Sequence, residues 1–224
     1  KKEMFFYLED KYGVKLIIND SFNIKNNIES LYLAKEELKN TYICVSDSYY
    51  IENPFNQYEY ITYYSGYRGN LITEEIYADV DSDGKIVCMD NKPIDNGYIL
   101  MGHSFWKKEF SDSFINVMED IRDDGKYNNS YWEILLKDKL SDLPSMYVRE
   151  YKKGNIFEFD YFEELRKFDS QYLGYTHSEI IRNIKLVFRC DEEDIVDFRN
   201  VSEGMTNISF IFKIDGVDYI YRHP

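Results

Sequence analysis

The chain has 224 residues, 44% of them apolar and 17% aromatic, which suffices for a core and excludes a disordered protein. A formal net charge of −14 excludes a broad nucleic-acid or anionic-membrane surface. A nucleotide site remains compatible with that charge, because a bound cation reverses the sign locally. No apolar run approaches the roughly 18 residues of a membrane helix, and Lys1-Lys2-Glu3-Met4 leads into an amphipathic segment rather than a secretory signal. Cys44, Cys88 and Cys190 read as buried free thiols of a reducing cytoplasm, without the spacing of a disulfide framework or a zinc site.

The first element in chain order is a helix over Glu3–Lys11, ended by Gly13. Val14–Ile18 is a continuous apolar run and reads as a strand. Asn27 reads as the cap of a helix whose buried face carries Ile28, Leu31, Tyr32 and Leu38. The strand Tyr42–Ser46 follows, so strand–helix–strand predicts a parallel pair with a covering helix.

Residues 58–106 change rhythm. Strands are predicted at Tyr60–Tyr64, Leu71–Asp79, Lys85–Met89 and Tyr98–Phe105, with turns at Asp83-Gly84 and Asn96-Gly97. Two helices come next, Asp112–Arg122 and Ser130–Leu140. Met146–Glu150 and Ile156–Phe159 then read as a strand pair around Lys153-Gly154, and a helical stretch covers Glu163–Phe168. A boundary is predicted near Ser170–Tyr175. Beyond it lie an amphipathic helix, His177–Arg189, and a strand-and-turn tail, Ile195–Pro224, too small to bury its own face as a lone hairpin.

Two apolar runs end in an aspartate: TYICVSD at Thr41–Asp47 and NIFEFD at Asn155–Asp160. Strand-terminal carboxylates at the carboxyl edge of an open α/β sheet stand where such sheets bind ligands. Two of them converging suit a hard cation such as Mg2+, the skeleton of a nucleotidyl-transfer site. Glu158, two residues before Asp160 on a strand, faces the same side. The alternative is that Asp47 merely opens a loop. Tyr131-Trp132-Glu133 places aromatic rings beside a carboxylate, a combination that holds a quaternary ammonium, or else Trp132 fills core. Asp79–Gly84 reads as a hairpin turn, since no helices flank it as they would a calcium loop. His103, His177 and His223 have no nucleophile arranged for a hydrolase triad.

Asn27–Asp47, the GHSFW segment at Gly102–Trp106, Asn129–Leu140 and Asn155–Phe168 together resemble the bacterial CTP:phosphocholine cytidylyltransferases, of the nucleotide-sugar pyrophosphorylase fold. The resemblance implies an α/β, Rossmann-like three-layer nucleotidyltransferase sheet over residues 1–172, here without the first strand and Gly-rich loop. It implies CMP transfer from CTP to phosphocholine, with Asp47 and Asp160 as catalytic Mg2+ ligands and Tyr131, Trp132, Glu133 and Glu158 as substrate-binding residues. VSEGMTN at Val201–Asn207, SFIFKI and DYIYRHP resemble the opening strands of choline kinases and related phosphotransferases. That second likeness implies a helix and small antiparallel β segment over 173–224, with Gly204, Thr206 and Asn207 in a nucleotide-binding turn, and hence a bifunctional kinase/cytidylyltransferase. The competing expectations are a sugar- or polyol-phosphate nucleotidyltransferase, or an inactive fragment that only binds or assembles.

Overall fold

The structure, a computed structural model, describes residues 5–69, 75–122, 125–160, 164–165, 168–169, 179–200 and 208–223. The chain divides into two compact units, Lys1–Glu158 and Phe159–Pro224. The boundary predicted near Ser170–Tyr175 lies outside the described residues, as does half of the stretch Glu163–Phe168.

The first unit is built on a six-stranded mixed sheet. Its strands are β1 (Thr41–Cys44), β3 (Tyr63–Arg68), β4 (Tyr77–Val80), β5 (Ile86–Asp90), β6 (Tyr98–Trp106) and β7 (Tyr147–Glu150), in the order β5-β4-β6-β3-β7 with β1 also paired to β6. β6 runs through the middle and is buried along almost its whole length, which accounts for its largely apolar sequence. A separate two-stranded ribbon joins β2 (Ser48–Tyr50) to β8 (Ile156–Glu158).

Apart from the first, which buries no residue, helices cover the sheet through faces set by helical spacing. α1 (Tyr7–Tyr12) is closed by Gly13 in the left-handed region, with the Gly13 N–H donating to the Glu9 carbonyl at 2.9 Å. α2 (Phe22–Leu33) buries Ile28 and Leu31, and its kink at Asn26 carries a φ of 55°. α3 (Lys108–Asp120) buries Phe110, Phe114 and Met118, each one turn from the next, and α4 (Trp132–Lys139) buries Trp132, Leu135 and Leu136. These side chains meet Tyr64, Leu100 and Trp106 of the sheet in one core. Between α2 and α3, Arg122 holds the Glu29 carboxylate in a fork at 3.1 and 3.2 Å.

Several sequence expectations are corrected by these pairings. Val14–Ile18 forms no strand: its apolar side chains Val14, Ile17 and Ile18 are exposed, and the Leu16 N–H goes to the Glu9 carboxylate. The parallel pair predicted on either side of α2 is therefore not made, and β1 runs antiparallel to β6. β7 and β8 do not pair with each other. β7 adds to the large sheet parallel to β3, whereas the turn at Lys153-Gly154 carries β8 to β2. The cysteines are free but not buried. Cys44 and Cys88 are exposed and Cys190 is half-buried, because Cys88 lies on the edge strand β5 and Cys44 ends β1 where the sheet stops. The hairpin at Asp81–Gly84 forms as expected, with the Asp81 carboxylate accepting the N–H groups of Asp83 and Lys85.

One glycine is needed by the crossing of the two sheets. Gly102 on β6 has a φ of +82°, and a Cβ there would lie 2.8 Å from Ile156 Cγ2 on β8. Its absence lets the ribbon lie close over the large sheet. Beside this crossing, His103 is 1% exposed and ringed by Tyr42, Tyr50, Phe55, Tyr63 and Tyr151. Burial lowers its pKa to about 4, so the imidazole is neutral at physiological pH. Arg149 stacks over the Tyr63 ring at 3.6 Å and pairs with Glu59, whose carboxyl its hydrogen bonds hold down to about 2.

In the second unit, α5 (Glu179–Phe188) faces a three-stranded antiparallel sheet of β9 (Val196–Asn200), β10 (Ile208–Ile214) and β11 (Val217–His223), in the order β11-β10-β9. Ile184 of the helix packs with Phe212 and Ile214 of the sheet, which solves the problem of a tail that cannot bury its own face. The predicted turn residues Gly204, Thr206 and Asn207 lie outside the described residues. Among the described residues no helix is long and apolar enough to cross a membrane.

Candidate active site

β1 delivers the chain to Asp47, which stands in the short turn before β2. β8 runs antiparallel to β2 and places Glu158 directly opposite Ser48, and Asp160 follows two residues later by chain continuity. Carboxylate oxygens of Asp47, Glu158 and Asp160 all lie within 4.8 Å of one another, with Asp47 and Asp160 exposed and Glu158 half-buried. The Asp160 N–H donates to the Glu164 carboxylate at 3.0 Å, a local bond that fixes the backbone beyond β8. Three carboxylates this close together form the donor set a hard divalent cation takes. The residues present therefore fit a metal ion. The two aspartates come together as expected from their strand-terminal positions, but they do not end strands of one sheet: the β2–β8 ribbon carries Asp160.

Next to the cluster lies a second acidic group. Glu133, in the first turn of α4, is nearly enclosed, with the Asn27 side chain and the Tyr64 hydroxyl beside it. Its second oxygen, Oε2, is buried without a hydrogen-bond partner. Burial, with the nearby Glu158 charge adding, raises the Glu133 pKa from 4.5 to about 7. Asn27 was expected to cap its own helix. Instead its Oδ1 accepts the Trp132 N–H at 2.9 Å and so caps α4, although the helical segment with Ile28 and Leu31 does start at this point, after the break at Asn26. Asn27 and Tyr64 were thus missed as parts of this pocket, since only the tertiary fold brings α2 and β3 to the start of α4.

The three neighbouring aromatic and acidic positions have different surroundings. Trp132 is 5% exposed, stacked on Tyr64 at 5.7 Å and 16°, with the rings of Trp106 and Phe114 set edge-on to it. Tyr131 is 57% exposed and Glu133 points inward.

The raised Glu133 pKa has a measurable consequence. A group whose folded pKa lies above its unfolded value binds more protons in the folded state between those values, so its contribution to stability falls as pH rises from about 4.5 to about 7 and is constant above. Glu133→Gln mimics the protonated acid and removes that slope. The variant is expected to gain on the order of 3 kcal/mol relative to the parent at pH 8 and nothing at pH 4. Chemical denaturation at both pH values measures this, and parallel pH–stability curves would place the Glu133 carboxylate in water instead.

No established family profile matches the sequence. The choline-phosphate cytidylyltransferase of Streptococcus pneumoniae is 36% identical over 171 residues, 75% of this chain and 72% of the relative. The chain belongs to the choline-phosphate cytidylyltransferase family. A 2-aminoethylphosphonate cytidylyltransferase of Lancefieldella rimae is 27% identical over 181 residues, covering 77% of this chain and 71% of the relative. The solved structure of the CTP:phosphocholine cytidylyltransferase of S. pneumoniae superposes with a TM-score of 0.68 at 32% identity, over 76% of this chain and 74% of that one. The mixed α/β architecture of the first unit is that nucleotidyltransferase fold.

Proposed function

We propose that this cytidylyltransferase joins CTP to phosphocholine, giving CDP-choline and pyrophosphate. A phosphocholine oxygen attacks the α-phosphorus of CTP, the new P–O bond forms, and the bond to the bridging oxygen breaks, so that pyrophosphate leaves with the electron pair. Asp47, Glu158 and Asp160 would hold Mg2+, which when bound supplies positive charge for the developing negative charge on the α-phosphate. Aligning the two anionic reactants is then the main task of the protein's own groups. The observation that carries the reading is the convergence of three carboxylates within 4.8 Å in a chain of this family. Glu133, buried beside that cluster, would supply the negative field for a cationic headgroup, with the exposed Tyr131 flanking it and Trp132 packed in the core behind.

One observation favours a second acceptor. The buried Oε2 of Glu133 has no hydrogen-bond partner and calls for an N–H, which a primary ammonium offers and a trimethylammonium does not. A 2-aminoethylphosphonate or phosphoethanolamine acceptor satisfies that oxygen. Pyrophosphate release from CTP, measured with phosphocholine, phosphoethanolamine, 2-aminoethylphosphonate and a sugar 1-phosphate, tests the assignment. Highest kcat/KM with phosphocholine is expected. Preference for the sugar phosphate would remove the cationic-headgroup reading altogether.

We also propose that residues 173–224 begin a choline-kinase-like domain, making the protein bifunctional. What supports this is the helix packed on an antiparallel sheet in the second unit, the arrangement its sequence resemblance implies.

A further inference from the structure

The β2–β8 ribbon carries two hydroxyl groups that the proposed reaction does not yet use. Ser48 Oγ and Tyr50 Oη are both buried, and neither has a hydrogen-bond partner among the described residues. The two hydroxyls stand near one another, but not in hydrogen-bonding geometry. A buried donor without an acceptor costs about 1–3 kcal/mol, so two in adjacent positions beside a polar site call for an explanation.

Strand geometry supplies one. Ser48 and Tyr50 are two residues apart and project from the same face of β2. Ser48 is paired directly with Glu158, and Tyr50 with Ile156, so Glu158 is the direct neighbour of one hydroxyl and the diagonal neighbour of the other. Diagonal pairs across antiparallel strands lie within reach of aromatic side chains. The Tyr50 ring is also clamped: His103 and Phe55 each meet it edge-on at 5.4 Å. Its hydroxyl is therefore presented at a fixed point. Gly102 beneath leaves clearance there, since a Cβ at that position would come within 3.4 Å of Tyr50 Oη.

From this geometry we infer that Ser48 and Tyr50 are positioning residues, whose hydroxyls, unpaired in this structure, turn to the neighbouring Glu158 carboxylate when a divalent cation binds and hold it in the receiving orientation. The inference rests on the metal-site reading given above. It is consistent with the upward shift of the Tyr50 pKa, caused first by burial and then by the neighbouring Cys44 and Glu158. The two residues follow Asp47 immediately in sequence, so a single turn and strand would supply both a ligand and the donors that steady the ligand opposite. Outer-shell donors of this kind usually change metal affinity by about 10- to 100-fold when removed.

The test is Mn2+ binding to the 224-residue chain, followed by electron paramagnetic resonance without any substrate. Tyr50→Phe keeps the ring packed against His103 and Phe55, and Ser48→Ala keeps the strand. Each is expected to raise the Mn2+ Kd roughly tenfold at a melting temperature no lower than the parent's, since an unpaired buried hydroxyl is removed, and Ser48→Thr, which restores the hydroxyl, should recover most of the affinity. Asp47→Asn is the control for the site itself. If Asp47→Asn weakens Mn2+ binding while Tyr50→Phe and Ser48→Ala leave it within twofold, the positioning role is overturned and the metal site stands. If Asp47→Asn also has no effect, the metal site and the positioning role fall together.

Discussion

Asp47→Asn is expected to reduce CDP-choline formation by at least about a hundredfold while leaving the fold intact, because a bound metal supplies several kcal/mol of charge stabilisation at the reacting phosphate. Asparagine keeps the shape of the side chain and removes the charge that a hard cation requires. Folding should be indifferent, since Asp47 is exposed in the turn between β1 and β2 and surface changes of this kind stay within roughly 0.5 kcal/mol. If anything, stability should rise slightly. Three carboxylates within 4.8 Å of one another repel, and neutralising one relieves part of that repulsion. Initial rates at saturating CTP and Mg2+, together with thermal melts of both proteins, separate the two effects. Turnover within a few-fold of the parent would make Asp47 a loop residue and leave Glu158 and Asp160 without their third partner.

The sequence made the site more legible than the sheet around it. An aspartate at the end of an apolar run is visible from local pattern alone, and the two-residue parity of Glu158 and Asp160 requires only that the segment be extended. Which strand each run pairs with depends on residues far away. Met146–Glu150 and Ile156–Phe159 flank a glycine turn and invite pairing as a hairpin, yet the edges of β3 and β2 take them separately. Val14–Ile18 shows the same gap from the other side: an apolar run forms a strand only when a neighbouring edge takes up its backbone groups. The helices were easier, because Phe110, Phe114 and Met118, or Leu135 and Leu136, mark a buried face by spacing alone. Asn27 was read by the right chemistry and given the wrong helix, since capping signals carry no information about distant helix ends.

Trp132 and Tyr131 should part company on mutation, with Trp132→Ala costing about 3–5 kcal/mol of folding energy. A tryptophan 5% exposed, stacked on Tyr64 and edged by Trp106 and Phe114, leaves a large cavity when it is cut back. For a domain of this size the loss corresponds to a fall in melting temperature of roughly 6–20 °C at about 2–4 °C per kcal/mol. Affinity for CTP and for phosphocholine should then weaken together, because the disturbance reaches the start of α4 and the Asn27 bond that holds it. Tyr131, 57% exposed, carries no comparable packing. Tyr131→Ala should leave the melting temperature within a degree or two and raise KM for phosphocholine about two- to fivefold, as loss of about 0.5–1 kcal/mol of cation–π attraction at an exposed ring requires, with KM for CTP unchanged. Calorimetric titration of each ligand into each variant reads both quantities. A Trp132→Ala protein that melts like the parent but binds phosphocholine selectively worse would move the tryptophan from the core to the headgroup pocket. It would also mean that the Tyr64 stack opens when the cation arrives.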